Sequence, residues 1–151
     1  MIKFVDYDVV FQEIPNEVTL AINISNCPNR CKGCHSPFLW DDVVAELNEE
    51  ALKILLEKYG GAVTCICFMG GDSSVAELCE LSMWLHENSS LKVGWYSGRD
   101  KLPENLPVQL FDFIKVGPYI EEFGNLKSPR TNQRLYKVED GELIDITARF
   151  W

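Results

Sequence analysis

The sequence predicts an α/β protein on a mostly parallel sheet, either part of a βα barrel or a small open sheet. Three observations carry this. Runs rich in β-formers alternate with amphipathic helical runs, the order that makes parallel strands. The run Ala62-Val63-Thr64-Cys65-Ile66-Cys67-Phe68-Met69 is almost wholly apolar, as expected of a strand covered on both faces. Loop or glycine turn chemistry follows each of the four main runs. A complete eight-fold barrel needs roughly 250 residues, whereas this chain has 151 and reads as one domain over 1–151.

The first clear strand is Val18-Thr19-Leu20-Ala21-Ile22-Asn23-Ile24, with Val18, Leu20, Ile22 and Ile24 on one face. It runs straight into Ser25-Asn26-Cys27-Pro28-Asn29-Arg30-Cys31, which is loop chemistry. A helix is expected from Asn48, which suits an N-cap, with Glu49 and Glu50 at the positive end of the dipole. Leu47 and Leu52 have the spacing of a hydrophobic staple. Leu52, Leu55, Leu56 and Tyr59 form the buried stripe, and Gly60-Gly61 ends the helix. The 62–69 strand follows, then Gly70-Gly71-Asp72.

A second helix opens at Ser74, with Glu77 completing a capping box and Leu78, Leu81, Ser82 and Leu85 on one face. Leu91-Lys92-Val93-Gly94-Trp95-Tyr96 is a third strand, stopped by Ser97-Gly98. Pro103 and Pro107 limit any helix after it. Phe111-Asp112-Phe113-Ile114-Lys115-Val116 is a fourth strand, stopped by Gly117-Pro118. Asp140-Gly141 then joins two short runs, 134–138 and 143–147, as a C-terminal β-hairpin. In parallel sheets the working edge lies at the carboxyl ends of the strands. The cysteine loop, the Gly70-Gly71 turn and the Ser97-Gly98 turn are expected to converge there.

Composition excludes several classes. Hydrophobic residues make up 46% and charged residues 25%, which is globular rather than disordered. Fourteen Lys and Arg against twenty-three Asp and Glu give a net charge of −9. That balance argues against sequence-blind nucleic-acid binding and against anionic membrane surfaces. No apolar stretch approaches the roughly 18 residues of a membrane span. The N-terminus has acids at Asp6 and Asp8 and lacks a signal core, so a cytoplasmic location is expected.

Six cysteines are the one unusual feature. In a reducing compartment clustered thiols serve metals or catalysis more often than disulfides. Cys27, Cys31 and Cys34 form C-x3-C-x2-C, followed by His35. Three thiolates so spaced can wrap a [4Fe–4S] cluster and leave one iron open, since such a cluster usually takes four cysteines. Two other readings stay open on spacing alone. One is zinc held by Cys27, Cys31, Cys34 and His35, although adjacent residues do not easily place both side chains on one tetrahedral ion. The other is a redox pair, Cys31 and Cys34. Cys65, Cys67 and Cys79 read as buried small hydrophobes.

The remaining candidates are weaker. Asp72 can bind an amine or help cap the following helix. Lys115 points into the site or into solvent. Ser97-Gly98-Arg99 reads as a plain loop, and His86 as a solvated cation at a helix C-terminus. Lys127, Arg130, Arg134 and Lys137 form a basic stretch without an acid, either a docking surface or a solvated loop.

C-x3-C-x2-C after a strand, with Gly-Gly-acid after the next buried strand, resembles the radical S-adenosylmethionine enzymes. Within them the chain resembles the activating proteins of anaerobic (class III) ribonucleoside-triphosphate reductases. The segments are Asn26-Cys27-Pro28, Cys34-His35-Ser36-Pro37 with Trp40, Phe68-Met69-Gly70-Gly71-Asp72 and Trp95-Tyr96-Ser97-Gly98-Arg99. The more specific ones are Asp112-Phe113-Ile114-Lys115-Val116-Gly117-Pro118-Tyr119-Ile120, Ser128-Pro129 and Thr131-Asn132-Gln133-Arg134.

The resemblance implies an open, partial βα barrel of the radical S-adenosylmethionine type. It implies a [4Fe–4S] cluster on Cys27, Cys31 and Cys34, with S-adenosylmethionine chelated to the open iron. Gly70, Gly71 and Asp72 would bind the methionyl amine, and Gly33 and His35 would touch the ligand beside the cluster. Reductive cleavage would give methionine and a 5′-deoxyadenosyl radical, which takes hydrogen from a glycine of the reductase's large catalytic subunit. A one-electron donor such as flavodoxin or ferredoxin is implied, and neither nucleic acid nor membrane. Two other functions fit the same motif: activation of a different glycyl-radical enzyme, or a non-catalytic zinc or iron–sulfur module. The chain departs from many relatives in Gly33, where they carry an aromatic residue, and in Asp72, where they carry Glu. It has Gln12-Glu13-Ile14-Pro15-Asn16-Glu17 where many activases carry a glycine-rich run ending in arginine.

Overall fold

A computed structural model describes residues 2–24 and 45–151. The described chain builds one eight-stranded mixed sheet. In chain order the elements are β1 (Lys3–Val10), β2 (Thr19–Ile24), β3 (Ala45–Glu46), α1 (Glu49–Tyr59), β4 (Cys65–Met69) and α2 (Val75–Asn88). β5 (Lys92–Tyr96), β6 (Phe113–Val116), β7 (Arg134–Glu139) and β8 (Glu142–Asp145) follow, with 3-10 turns at Val108–Leu110 and Thr147–Phe150. The strand order is β3-β1-β2-β4-β5-β6-β7-β8.

This corrects the expected partial βα barrel with a mostly parallel sheet. Pairs β2–β4, β4–β5 and β5–β6 are parallel. Pairs β1–β2, β1–β3, β6–β7 and β7–β8 are antiparallel and outnumber them. The described residues hold two α-helices, too few to wrap a barrel. The physical reasons are local. Lys3–Val10, for which no strand was expected, forms one that folds back antiparallel on β2. Pro103 and Pro107 leave only a 3-10 turn before β6. β7 then returns antiparallel beside β6, and Asp140 and Gly141 take positive φ (52° and 77°) to turn it into β8.

Both helices pack on one face of the sheet. Leu52 and Leu55 of α1 and Leu78, Leu81 and Leu85 of α2 meet Leu20, Ile22, Ile66, Phe68, Val93 and Trp95 in one core. Each fully buried side chain of this size contributes roughly 1.5–3 kcal/mol. α1 starts where expected: the Asn48 side chain accepts the Ala51 N–H at 2.9 Å, and Leu47 and Leu52 are both buried. The capping box expected at α2 is absent. Ser74 makes no side-chain cap bond, its N–H donates to Gly71 O at 3.0 Å, and the Glu77 carboxylate accepts the Ile2 N–H at 2.8 Å instead of the Ser74 N–H. His86 is exposed in the last turn of α2, as expected, and its ring nitrogen also lies 2.9 Å from Asp112, just before β6.

The opposite face carries a smaller core of Ile14, Cys65, Cys67, Phe113, Leu126, Leu135 and Ile146. The 11–16 segment after β1 crosses this face. Its Ile14 is fully buried, and Glu13 O accepts the Tyr96 hydroxyl. Among the described residues no helix is long and apolar enough to cross a membrane.

Candidate functional site

Parallel register brings four strand ends to one edge. Asn23 pairs with Met69, Met69 with Tyr96, and Tyr96 with Lys115. The exits of β2, β4, β5 and β6 therefore lie side by side. Past β4 the chain turns at Gly70 and Gly71, whose φ values of 104° and 85° favour glycine. A Cβ on Gly71 would also lie 2.9 Å from Leu78 Cδ1, so α2 packs directly beneath this turn.

β5 holds the turn at several points. The Gly70 N–H donates to Tyr96 O at 3.0 Å, and Trp95 Nε1–H donates to Gly70 O at 2.8 Å. Asp72 is buried. Its Oδ1 accepts the Ser97 hydroxyl at 2.5 Å, and its Oδ2 accepts the Gly98 N–H at 3.0 Å. The carboxylate thus bonds to the turn that follows β5.

β6 continues the edge. Lys115 is buried and donates to the carbonyls of Ser97 (3.1 Å) and Gly117 (2.9 Å). Its ammonium also lies 5.5 Å from the Tyr96 ring centroid, within cation–π range. Gln133 Nε2 reaches the same Gly117 carbonyl at 3.4 Å. Thr131 Oγ1 accepts the Gln133 N–H at 3.0 Å and donates to Gly124 O at 3.3 Å. The Thr131-to-Arg134 segment is therefore an internal brace as much as a surface.

The charges nearby are partly committed: Arg134 lies 3.7 Å from Asp145, Lys137 lies 2.8 Å from Glu139, and Lys127 bonds to Gln12. Arg130 is exposed.

On the face away from the helices, a pocket of about 250 Å³ opens beneath this edge. Met69, Tyr96, Lys115, Lys127, Gln133 and Phe150 line it. Burial pushes the Tyr96 phenol well above its ordinary range, so it stays a neutral donor to Glu13. The pocket combines an apolar wall with fixed amides and cations.

Cys27, Cys31, Gly33, Cys34 and His35 lie outside the described residues. Gly70, Gly71 and Asp72 do share the edge at which β2 ends. The Ser97-Gly98 turn was expected at this edge, but the sequence assigned no individual role to Trp95, Ser97 or Gln133. Their signal was faint: a hydroxyl following an apolar strand, and a Thr131, Gln133, Leu135 alternation that runs buried, buried, buried.

The other cysteines do not supply ligands at this edge. Burial, with the Glu17 carboxylate second, pushes the Cys65 thiol up to about 12. Burial likewise raises Cys67, whose Sγ lies 3.7 Å from Met69 Sδ. Cys79 is half-buried on α2 and is raised by burial too. A ligating thiol must lose its proton, so these three are poorly suited. Among the described residues no group of three or more His, Cys, Asp or Glu could hold a metal. The donor set that fits an iron–sulfur cluster is the C-x3-C-x2-C run that follows β2 in sequence.

No family model, curated protein or solved structure matches this chain.

Proposed function

We propose that this chain is a cytoplasmic activase that generates a glycyl radical on a partner enzyme. The partner in this reading is the large catalytic subunit of an anaerobic ribonucleoside-triphosphate reductase, with a flavodoxin or ferredoxin as electron donor. Cys27, Cys31 and Cys34 would hold a [4Fe–4S] cluster. The chemistry such a cluster supplies when bound is one-electron reduction of the sulfonium of S-adenosylmethionine. Gly70 and Gly71 let the ligand's amino group approach the backbone, and Asp72 orients it. Gly33 and His35 flank the ligand. Met69, Tyr96 and Phe150 keep water from the reacting end.

One observation carries the reading. The parallel pairing of β2 with β4 sets the exit of β2 beside the Gly70-Gly71-Asp72 turn. Cys27 follows Ile24 by three residues in sequence. A cluster loop and an amine-binding turn need that adjacency.

The test is anaerobic. The protein is reconstituted with iron and sulfide, reduced and given S-adenosylmethionine, and 5′-deoxyadenosine is quantified. Replacing any one of Cys27, Cys31 or Cys34 by Ala should abolish the product, whereas Cys65→Ala should leave the chemistry intact. Product from a triad variant would sink the cluster assignment. Absence of product, with one tightly bound zinc, would sink the enzyme.

A further inference from the structure

The geometry points to the 11–16 segment as a strap that gates the pocket beneath the strand ends, opening without the sheet. This goes beyond the activase reading and does not rest on it. Gln12 and Glu13 form part of the pocket lining, as do Asn125, Leu126 and Lys127. The Lys127 ammonium donates to Gln12 Oε1 and so ties these two parts together. From the sheet, the Tyr96 hydroxyl donates to the Glu13 carbonyl. The third attachment is the fully buried Ile14 side chain. It fits a notch that β5 leaves at Gly94, where a Cβ would lie 2.8 Å from Ile14 Cδ1.

These attachments are sparse. The strap is the connection between β1 and β2, and the rung pairing Val10 with Thr19 joins its two feet. Residues 11–16 belong to no strand, so lifting them breaks no ladder bond. Their main-chain bond is a local turn, Glu17 N–H to Ile14 O at 3.2 Å. Phe11, at the start of the strap, is 69% exposed. One buried side chain and single side-chain bonds are the marks of a segment that opens locally, below the cost of global unfolding.

Lifting the strap removes two residues from the pocket lining and uncovers Cys67. The same Cβ position on Gly94 lies 3.3 Å from Cys67 Sγ, and Ile14 and Cys67 share one core cluster. Cys67 has no exposed surface, and burial keeps its thiol protonated. Alkylation requires an accessible thiolate, so Cys67 reports on the strap. Cys79 lies half-buried on α2, on the other face of the sheet, and serves as the reference.

The test treats the full chain with iodoacetamide over a range of low urea concentrations and follows alkylation site by site by mass spectrometry. Wild-type Cys67 should label faster than global unfolding allows. Its rate should be nearly flat in low urea, since lifting so short a segment exposes little surface. Ile14→Ala should raise that rate by about ten-fold or more. Tyr96→Phe should raise it about five-fold, the effect of one hydrogen bond. Cys79 should label at its wild-type rate in both variants.

A Cys67 rate with the urea dependence of global unfolding, read by circular dichroism, would mean that strap and sheet open together and would overturn the inference. So would a Cys67 rate left unchanged by both substitutions, or equal acceleration of Cys67 and Cys79. Should the variants fail to fold, the wild-type urea profile decides alone: a flat profile supports the strap, and a steep one overturns it.

Discussion

The indole N–H of Trp95 donates to the carbonyl oxygen of Gly70 at 2.8 Å. The ring has no exposed surface and packs 5.7 Å from the Phe111 ring centroid. The next residue on β5 takes the Gly70 N–H, so one strand fixes both polar groups of the turn's first glycine. That glycine sits at φ 104°, where a side chain would be strained. The shape of the turn is therefore written by β5 rather than by the turn itself.

Trp95→Phe should show this. It removes the donor, strands a carbonyl and leaves a gap beside Phe111. Together these should destabilise the fold by about 2–4 kcal/mol. Urea unfolding followed by circular dichroism measures it. Trp84→Phe, on a half-buried ring of α2, provides the scale. Equal losses at the two positions would mean that the Gly70 bond contributes nothing.

The buried thiols predict an alkaline weakness. The ordinary thiol value is 9.0, and burial pushes Cys65 up to about 12 in the fold. Between those values the unfolded chain has lost the proton and the folded chain has kept it. The contribution is fully present below pH 9 and is lost as pH rises toward 12. Cys67 shifts in the same direction for the same reason. Urea unfolding between pH 8 and pH 10 should show wild type losing about 1.4 kcal/mol more than Cys65→Ala across that interval. Lysines and tyrosines titrate in both proteins, so the difference isolates the thiol. Parallel pH profiles would remove the argument.

The helices were legible because their signals are local. Asn48, Leu47 and Leu52 act within one turn of each other, and Leu78, Leu81, Ser82 and Leu85 share one face that is buried. β1 was not legible, and its register explains why. Phe4, Tyr7 and Val9 all pack on the helix-side core, yet Phe4 and Tyr7 are three apart. The pairing with β2 slips between Phe4 and Asp6. That irregularity breaks the period-two pattern by which a strand is read. Missing β1 made the sheet look more parallel than it is. The edge was half legible. Gly70 and Gly71 announce a turn, but Ser97 gains its meaning from Asp72, twenty-five residues earlier. Lys115 could be placed on a strand but not assigned a partner, since its acceptors Ser97 O and Gly117 O are backbone carbonyls.

Gly94 and Ile14 should be energetically coupled. Gly94 sits mid-strand in β5, opposite Cys67. A Cβ there would lie 2.8 Å from Ile14 Cδ1 and 3.3 Å from Cys67 Sγ. Ile14 is fully buried and anchors the 11–16 segment, whose Glu13 carbonyl accepts the Tyr96 hydroxyl. Gly94→Ala overpacks this contact and should destabilise by about 1–3 kcal/mol. Ile14→Val deletes Cδ1 and should alone cost about 0.5–1.5 kcal/mol. Combined, the two should cost less than their sum by about 1 kcal/mol, because the valine vacates the space that the new methyl needs. A double-mutant cycle in urea reads the coupling. Strict additivity would mean that the segment yields elsewhere, and that Gly94 is not what seats Ile14 against the sheet.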